Sequence, residues 1–241
     1  MRVAIAGGGT GGHLYSGLAV YERLVDKSYG ANEVIFIGTK YGIEKDVLPR
    51  IGKKVFFLPV GKFRKSGFLA KAWSLLILPI SVFASMWLLL RLRPDAALGV
   101  GGYASGPFIL AASLFGLPTA IIEQNSIPGV TNRILGRWVK KAFLGIPGAE
   151  SKFSPGVGVY VGNPIRENLF DVPPLTEVGD IFTILVFGGS QGARGINELV
   201  KEGLPMLSDF RDSIKFIHIT GPLDCQLMKE AYEKLDRKSV V

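Results

Sequence analysis

Residues 7–13 read Gly-Gly-Gly-Thr-Gly-Gly-His, and the chemistry that suits them is the holding of an anion beside a group that can move a proton. Side chains are nearly absent from Gly8, Gly9, Gly11 and Gly12, so a ligand can come directly against the backbone. Thr10 adds a hydroxyl, and His13 is one of only two histidines in the chain. Histidine is the side chain that most readily exchanges a proton near neutral pH. Similar material recurs at Gly101-Gly102-Tyr103-Ala104-Ser105-Gly106 and at Gly188-Gly189-Ser190-Gln191-Gly192. Glu123-Gln124-Asn125 and the lone Arg166 of Gly162-Asn163-Pro164-Ile165-Arg166 complete the polar candidates.

The elements around the first run explain what it can bind. Val3 to Ala6 is a short apolar run that reads as a strand, and Leu14, Leu18, Val20, Leu24 and Val25 follow at helical spacing. A strand, a glycine loop and a helix N-terminus together gather free N–H groups and the positive end of the helix dipole, which suits a phosphate or diphosphate. Gly7, Gly9 and Gly12 also satisfy the dinucleotide pattern G-x-G-x-x-G, which asks for a carboxylate at the end of the second strand. Residues 33–37 form that strand and run into Gly38-Thr39-Lys40, so no acid waits for a ribose, while Lys40 leaves an NADP-binding reading open. Tight strand-to-helix packing is the plain alternative for the glycines.

Strands are expected at 2–6, 33–37, 55–58, 96–100, 119–122, 142–145 and 157–161, with helices at 13–27, 68–92, 107–115 and 129–140. Such alternation predicts an α/β fold with a parallel, doubly wound sheet and ligands beyond the carboxyl ends of its strands. Residues 162–180 hold three prolines without an apolar period and read as a linker. The pattern then restarts with a strand at 182–187, a helix from 193 to about 207, a strand at 214–219 and a helix ending near 235. The expected organisation is a first domain over 1–161, the linker over 162–180 and a partial second domain over 181–241 whose third strand is only begun at Ser239. Two strands and two helices make too small a core to stand alone, so a fragment of a longer protein is expected.

The net charge of +8 is concentrated in the first hundred residues, where 14 Lys and Arg face 6 Asp and Glu. Between Lys40 and Arg93 only Glu44 and Asp46 oppose eleven basic residues. Residues 73–90 carry no charge, are interrupted by Pro79 and lie between basic flanks. A spanning helix, a buried crossover helix and an apolar surface dipping into an anionic bilayer all compete there; basic residues beside Trp, Phe and Leu favour the last. Nucleic acid is not expected as a partner, because polar residues do not separate the aromatics. The single Cys225 and the absence of a signal-peptide pattern point to a reducing, cytoplasmic setting. His218 falls within an apolar strand and reads as a core residue, and no cluster has metal-ligand spacing.

Taken together, the motifs at 7–13, 99–107, 123–125, 162–166 and 188–197 resemble the undecaprenyl-diphospho-muramoylpentapeptide β-N-acetylglucosaminyltransferases of glycosyltransferase family 28, over essentially the whole chain. The resemblance implies a GT-B architecture of two Rossmann-like parallel-sheet domains, the second truncated here. It also implies inverting transfer of N-acetylglucosamine from UDP-GlcNAc to lipid I, giving lipid II in peptidoglycan synthesis, at the cytoplasmic face of the bacterial plasma membrane. No metal or other cofactor is implied. On the matching positions, the loops with Gly8 and Gly9, and with Gly101, Gly102, Tyr103 and Ser105, would hold the acceptor diphosphate. Thr10, Gly11, Gly12, Asn125, Arg166, Ser190, Gln191 and Gly192 would contact substrates. His13 is the candidate general base and Glu123 its competitor, or only an orienter. Ile122 stands where many relatives have His, and the remainder of the donor site is expected beyond Val241. Two other readings stay open: a membrane-associated protein that binds a lipid diphosphate without turnover, and an NADP-dependent oxidoreductase.

Overall fold

The computed structural model describes residues 1–26, 32–61, 68–169, 171, 173, 179, 181–189, 192–234 and 239–240. The chain divides into two compact units, Met1–Val172 and Pro173–Val241, and the division falls inside the proline-rich segment 162–180.

The first unit runs β1 (Arg2–Gly7), α1 (Gly11–Val25), β2 (Glu33–Gly38), α2 (Glu44–Arg50), β3 (Val55–Phe57), α3 (Phe68–Leu92), β4 (Ala96–Gly101), α4 (Ser105–Leu114), β5 (Thr119–Glu123), α5 (Val130–Leu135), β6 (Lys141–Leu144) and β7 (Gly158–Tyr160). Its seven strands are all parallel, in the order β3-β2-β1-β4-β5-β6-β7. Alternation along β1 explains why helices cover both faces: successive side chains of a strand point to opposite sides. Val3 and Ile5 pack with Leu14 and Leu18 of α1 and Leu48 of α2. Ala4 and Ala6 pack with Leu88 and Leu89 of α3, Phe108 of α4 and Leu135 of α5. The strand order reverses between β1 and β4, which opens a crevice at their carboxyl ends. The loops at 7–10 and 101–104 lie at that switch point.

Sequence and structure part in two places here. Residues 129–140 are not one helix, because α5 stops at Leu135 and Gly136 caps it, donating its N–H to the Asn132 carbonyl at 2.8 Å. A side chain at Gly136 would stand 2.6 Å from the Phe153 ring. α2 was not anticipated, being only seven residues long with Pro49 inside it. α3 is both a crossover helix and an exposed apolar surface. Leu88 and Leu89 are buried, while Ile80, Phe83, Trp87 and Leu90 are exposed. Buried Ser81 and Ser85 return their hydroxyls to the carbonyls of Ile77 and Ser81, at 3.0 and 2.7 Å. No helix among the described residues is long and apolar enough to cross a membrane.

The second unit runs β8 (Phe182–Phe187), α6 (Arg194–Gly203), β9 (Ile214–Ile219), α7 (Cys225–Glu233) and β10 (Ser239–Val240), with a parallel sheet in the order β10-β9-β8. α6 ends earlier than the apolar pattern suggests, since Pro205 opens a 3-10 turn over Leu204–Phe210. Leu204, Phe216, Met228 and Tyr232 form its core on one face of the sheet. The other face leaves Leu185, Phe187 and Ile219 exposed.

Candidate functional site

The two glycine loops of the first unit meet backbone to backbone. Gly8 donates its N–H to the Gly101 carbonyl at 3.2 Å. A Cβ on Gly102 would overlap the Gly8 carbonyl oxygen, and one on Gly7 would overlap that of Gly101. These glycines are therefore demanded by the protein itself. Gly12 is different: nothing lies within 4 Å of where its Cβ would stand, so the space beside it is open. The first ladder bond of α1 runs from the Leu14 N–H to the Thr10 carbonyl at 3.2 Å, which leaves the N–H groups of Gly11, Gly12 and His13 outside the ladder. They and the positive end of α1 have the character that an anion calls for.

His13 sits between the loops. Its Nδ1 lies 3.1 Å from the Thr10 hydroxyl. The opposite edge of the ring covers Gly101, where a Cβ would come within 2.7 Å of Nε2. Gly101 must stay a glycine for the imidazole to lie there. Nε2 has no hydrogen-bond partner among the described residues. When Nδ1–H donates to Thr10, Nε2 carries the free lone pair, the form a general base needs.

Glu123, at the end of β5, is only 2% exposed and saturated. One oxygen accepts from the Asn125 backbone N–H and side-chain amide, each at 3.0 Å. The other accepts from the Gly129 N–H at 3.0 Å and the Asn132 amide at 2.9 Å. Four donors occupy its lone pairs, so Glu123 shapes the loop 124–129 and presents the exposed Asn125. Ser105 also departs from expectation. Its hydroxyl is buried without a partner and directed at Gly99 of β4, and its backbone N–H belongs to the first turn of α4, outside the helix ladder. Tyr103 is 43% exposed beside it.

Arg166 is not an isolated solvated residue. Its guanidinium stacks 4.8 Å from the centroid of Tyr15 on α1, whose ring also touches the Cβ position of Gly11. Glu167 pairs with Arg23 in the last turn of α1 at 3.2 Å, so the first part of the proline-rich segment packs along that helix. Sequence reasoning missed Tyr15 because an aromatic at helical spacing looks like core.

In the second unit, Ser190 and Gln191 lie outside the described residues. Gly192 has φ +73° and donates its N–H to the Gly189 carbonyl at 3.0 Å, closing a turn rather than offering that group to a ligand. A side chain at Gly192 would overlap the Thr220 carbonyl. His218 is buried, as expected, in a complete network. Asn197 gives its amide hydrogens to the Thr220 carbonyl at 2.9 Å and Asp224 at 2.8 Å, so its oxygen accepts from His218 Nε2 at 3.1 Å. Nδ1 then accepts from the Tyr232 hydroxyl at 3.0 Å. Burial lowers the His218 pKa below the ordinary value and pushes the Tyr232 hydroxyl up to about 12. Both groups are neutral in the fold.

Residues 3–144 match the glycosyltransferase family 28 N-terminal domain, and residues 183–241 match its C-terminal domain. The chain belongs to glycosyltransferase family 28. A relative from Syntrophus aciditrophicus, the UDP-N-acetylglucosamine--N-acetylmuramyl-(pentapeptide) pyrophosphoryl-undecaprenol N-acetylglucosamine transferase, is 47% identical over 96% of this chain and 64% of its own length. The protein of the same description from Myxococcus xanthus is 45% identical over 96% of this chain and 61% of its own. This chain therefore spans less than two thirds of the length of these relatives. Among solved structures, MurG of Acinetobacter baumannii aligns with a TM-score of 0.68 at 27% identity, over 99% of this chain and 64% of that one. A UDP-N-acetylglucosamine 2-epimerase aligns with a TM-score of 0.65 at 13% identity, a likeness of fold alone. The fold is thus the GT-B type of this family.

Proposed function

We propose that the first unit is the acceptor-binding half of an inverting transferase that moves N-acetylglucosamine from UDP-GlcNAc to the muramoyl 4-hydroxyl of lipid I, yielding lipid II and UDP. The observation that carries this reading is His13, held by Thr10 against Gly101 where two glycine loops converge at the switch point. The relatives named above supply the reaction.

In a single displacement the acceptor oxygen bonds to the anomeric carbon as the bond from that carbon to the UDP oxygen breaks. The hydroxyl proton passes to Nε2 of His13, and the leaving diphosphate takes up the bonding pair. Thr10 holds the ring through Nδ1, and in the tautomer with the proton on Nδ1 it accepts that hydrogen. The free N–H groups at the start of α1 and α4 bind the acceptor's diphosphate, while Asn125 orients sugar hydroxyls. Arg166, stacked on Tyr15, supplies positive charge for the leaving diphosphate, and on the resemblance alone Ser190, Gln191 and Gly192 of the second unit are further candidates for donor contact.

The lipid must be met at a membrane. Ile80, Phe83, Trp87 and Leu90 form a stripe at helical spacing on α3, with the Arg91 guanidinium 5.1 Å from the Trp87 ring. Ile127, Val130, Ile134 and Trp138 are likewise exposed, among Arg133, Arg137 and Lys140 and without an acid between 124 and 149. Apolar residues set among cations suit a peripheral contact with the anionic cytoplasmic leaflet.

The test is transfer of labelled N-acetylglucosamine to a lipid I analogue, by this chain alone and by this chain completed with the C-terminal segment of the Syntrophus relative. Transfer by the completed form supports the reading. A completed form that binds the analogue yet never consumes UDP-GlcNAc would leave a lipid-diphosphate binding protein, and NADPH binding would restore the oxidoreductase.

A further inference from the structure

Glu44 is fully buried, and no cationic side chain pairs with it among the described residues. A carboxylate left so costs much unless its lone pairs are filled. One oxygen accepts from the Thr39 N–H and hydroxyl, each at 2.9 Å. The other accepts from the N–H of Gly9, 35 residues away, at 2.7 Å. Three glycines clear the space it needs. A Cβ at Gly8 or Gly42 would overlap the carboxylate, and one at Gly38 would stand 2.6 Å from the Glu44 Cγ. The glycines at 38 and 42 thus serve this side chain.

We infer that Glu44 is the positioning residue of the first glycine loop: by taking the Gly9 N–H it fixes the turn that points the next N–H groups and His13 into the crevice. The inference rests on the reading of that crevice as a diphosphate site. Its physical logic is a division of labour along five residues. Gly8 N–H goes to Gly101, Gly9 N–H goes to Glu44, and those of Gly11, Gly12 and His13 stay free. The carboxylate sits behind the loop, where its charge-assisted bond is short and strong. Gly9 itself has φ +89° with no atom within 4 Å of its Cβ position, so the conformation is held by that hydrogen bond and not by packing.

Glu44→Gln keeps the volume and one accepting oxygen for Thr39 but turns an N–H toward Gly9. Two readouts on this chain separate the possibilities: amide exchange at residues 8–13, and calorimetric binding of a short-chain prenyl-diphosphate-linked muramoyl pentapeptide. The inference predicts exchange at least tenfold faster in the loop with β1 and β4 unchanged, and binding at least tenfold weaker, about 1.4 kcal/mol. Thr39→Val, which spares the Gly9 bond, should bind within threefold of the parent. Should Glu44→Gln fail to fold, Glu44→Asp, whose carboxylate is too short to reach Gly9, replaces it with the same expectations. Loop exchange and binding both within twofold of the parent would overturn the inference. A parent chain that ignores the ligand, with a loop that still loosens in the variant, would uphold the positioning role and sink the diphosphate reading instead.

Discussion

The two histidines of this chain sit in opposite situations. His218 is sealed within the second unit, with Tyr232 on one nitrogen and Asn197 on the other. His13 is half-exposed, bonded through Nδ1 alone, with its Nε2 edge laid against a glycine. Both lie at or beside the carboxyl end of a parallel strand, where an α/β fold places its chemistry. Position in the fold therefore does not separate structure from function. What separates them is whether a nitrogen is left over once the neighbours have been served.

That contrast can be broken from several sides. The largest effect is expected from His218→Ala, which strands the Tyr232 hydroxyl and the Asn197 oxygen in the core. Each unpaired group costs roughly 1–3 kcal/mol, so amide exchange in β9 should reveal a second unit destabilised by about 2–6 kcal/mol. His13→Ala should leave exchange in the first unit unchanged. Next comes Gly101→Ala, whose methyl must displace the imidazole and adopt φ +95°. Such strain costs about 1–3 kcal/mol, read as a lower thermal midpoint, and the transfer rate should fall with it. Equal effects of the two histidine variants on stability would erase the distinction.

Acid sharpens it further. Because burial lowers the His218 pKa, the unfolded chain binds the proton more readily than the folded one. Stability of the second unit is therefore full above the unfolded value of 6.5 and is lost as pH falls from there through the folded value. His218→Gln should flatten that dependence in a urea titration between pH 5 and 7. The smallest effect on folding belongs to Gly12→Ala, where nothing obstructs the methyl and the helix gains propensity worth under about 1 kcal/mol. Binding of the acceptor analogue should nonetheless weaken tenfold, since on the proposed reading the ligand stands in the open space there.

The same contrast shows where sequence is eloquent. Glycine loops between apolar strands and helices announced the switch point, because backbone approach and strand burial are written in local composition. His218 could be assigned to the core from its apolar strand. Glu44 could not be recognised: amid eleven basic residues it looked like a solvated counter-charge, and its partner Gly9 is 35 positions away. Glu123 stayed ambiguous for the same reason, since only the fold reveals that Asn125, Gly129 and Asn132 converge on it. That the Ser105 hydroxyl is buried against Gly99 could not be read either, because helix phase at a loop boundary is set by packing. Boundaries at Gly136 and Pro205 shifted where a single residue decided between helix and turn.

The most direct measurement is the rate of sugar transfer at saturating UDP-GlcNAc and lipid I analogue, by the completed chain and its His13→Ala variant. Loss of general base catalysis should lower kcat by about 10²–10⁴-fold with both KM values within threefold. A variant whose kcat stays within a few-fold of the parent would contradict the assignment of proton transfer to His13.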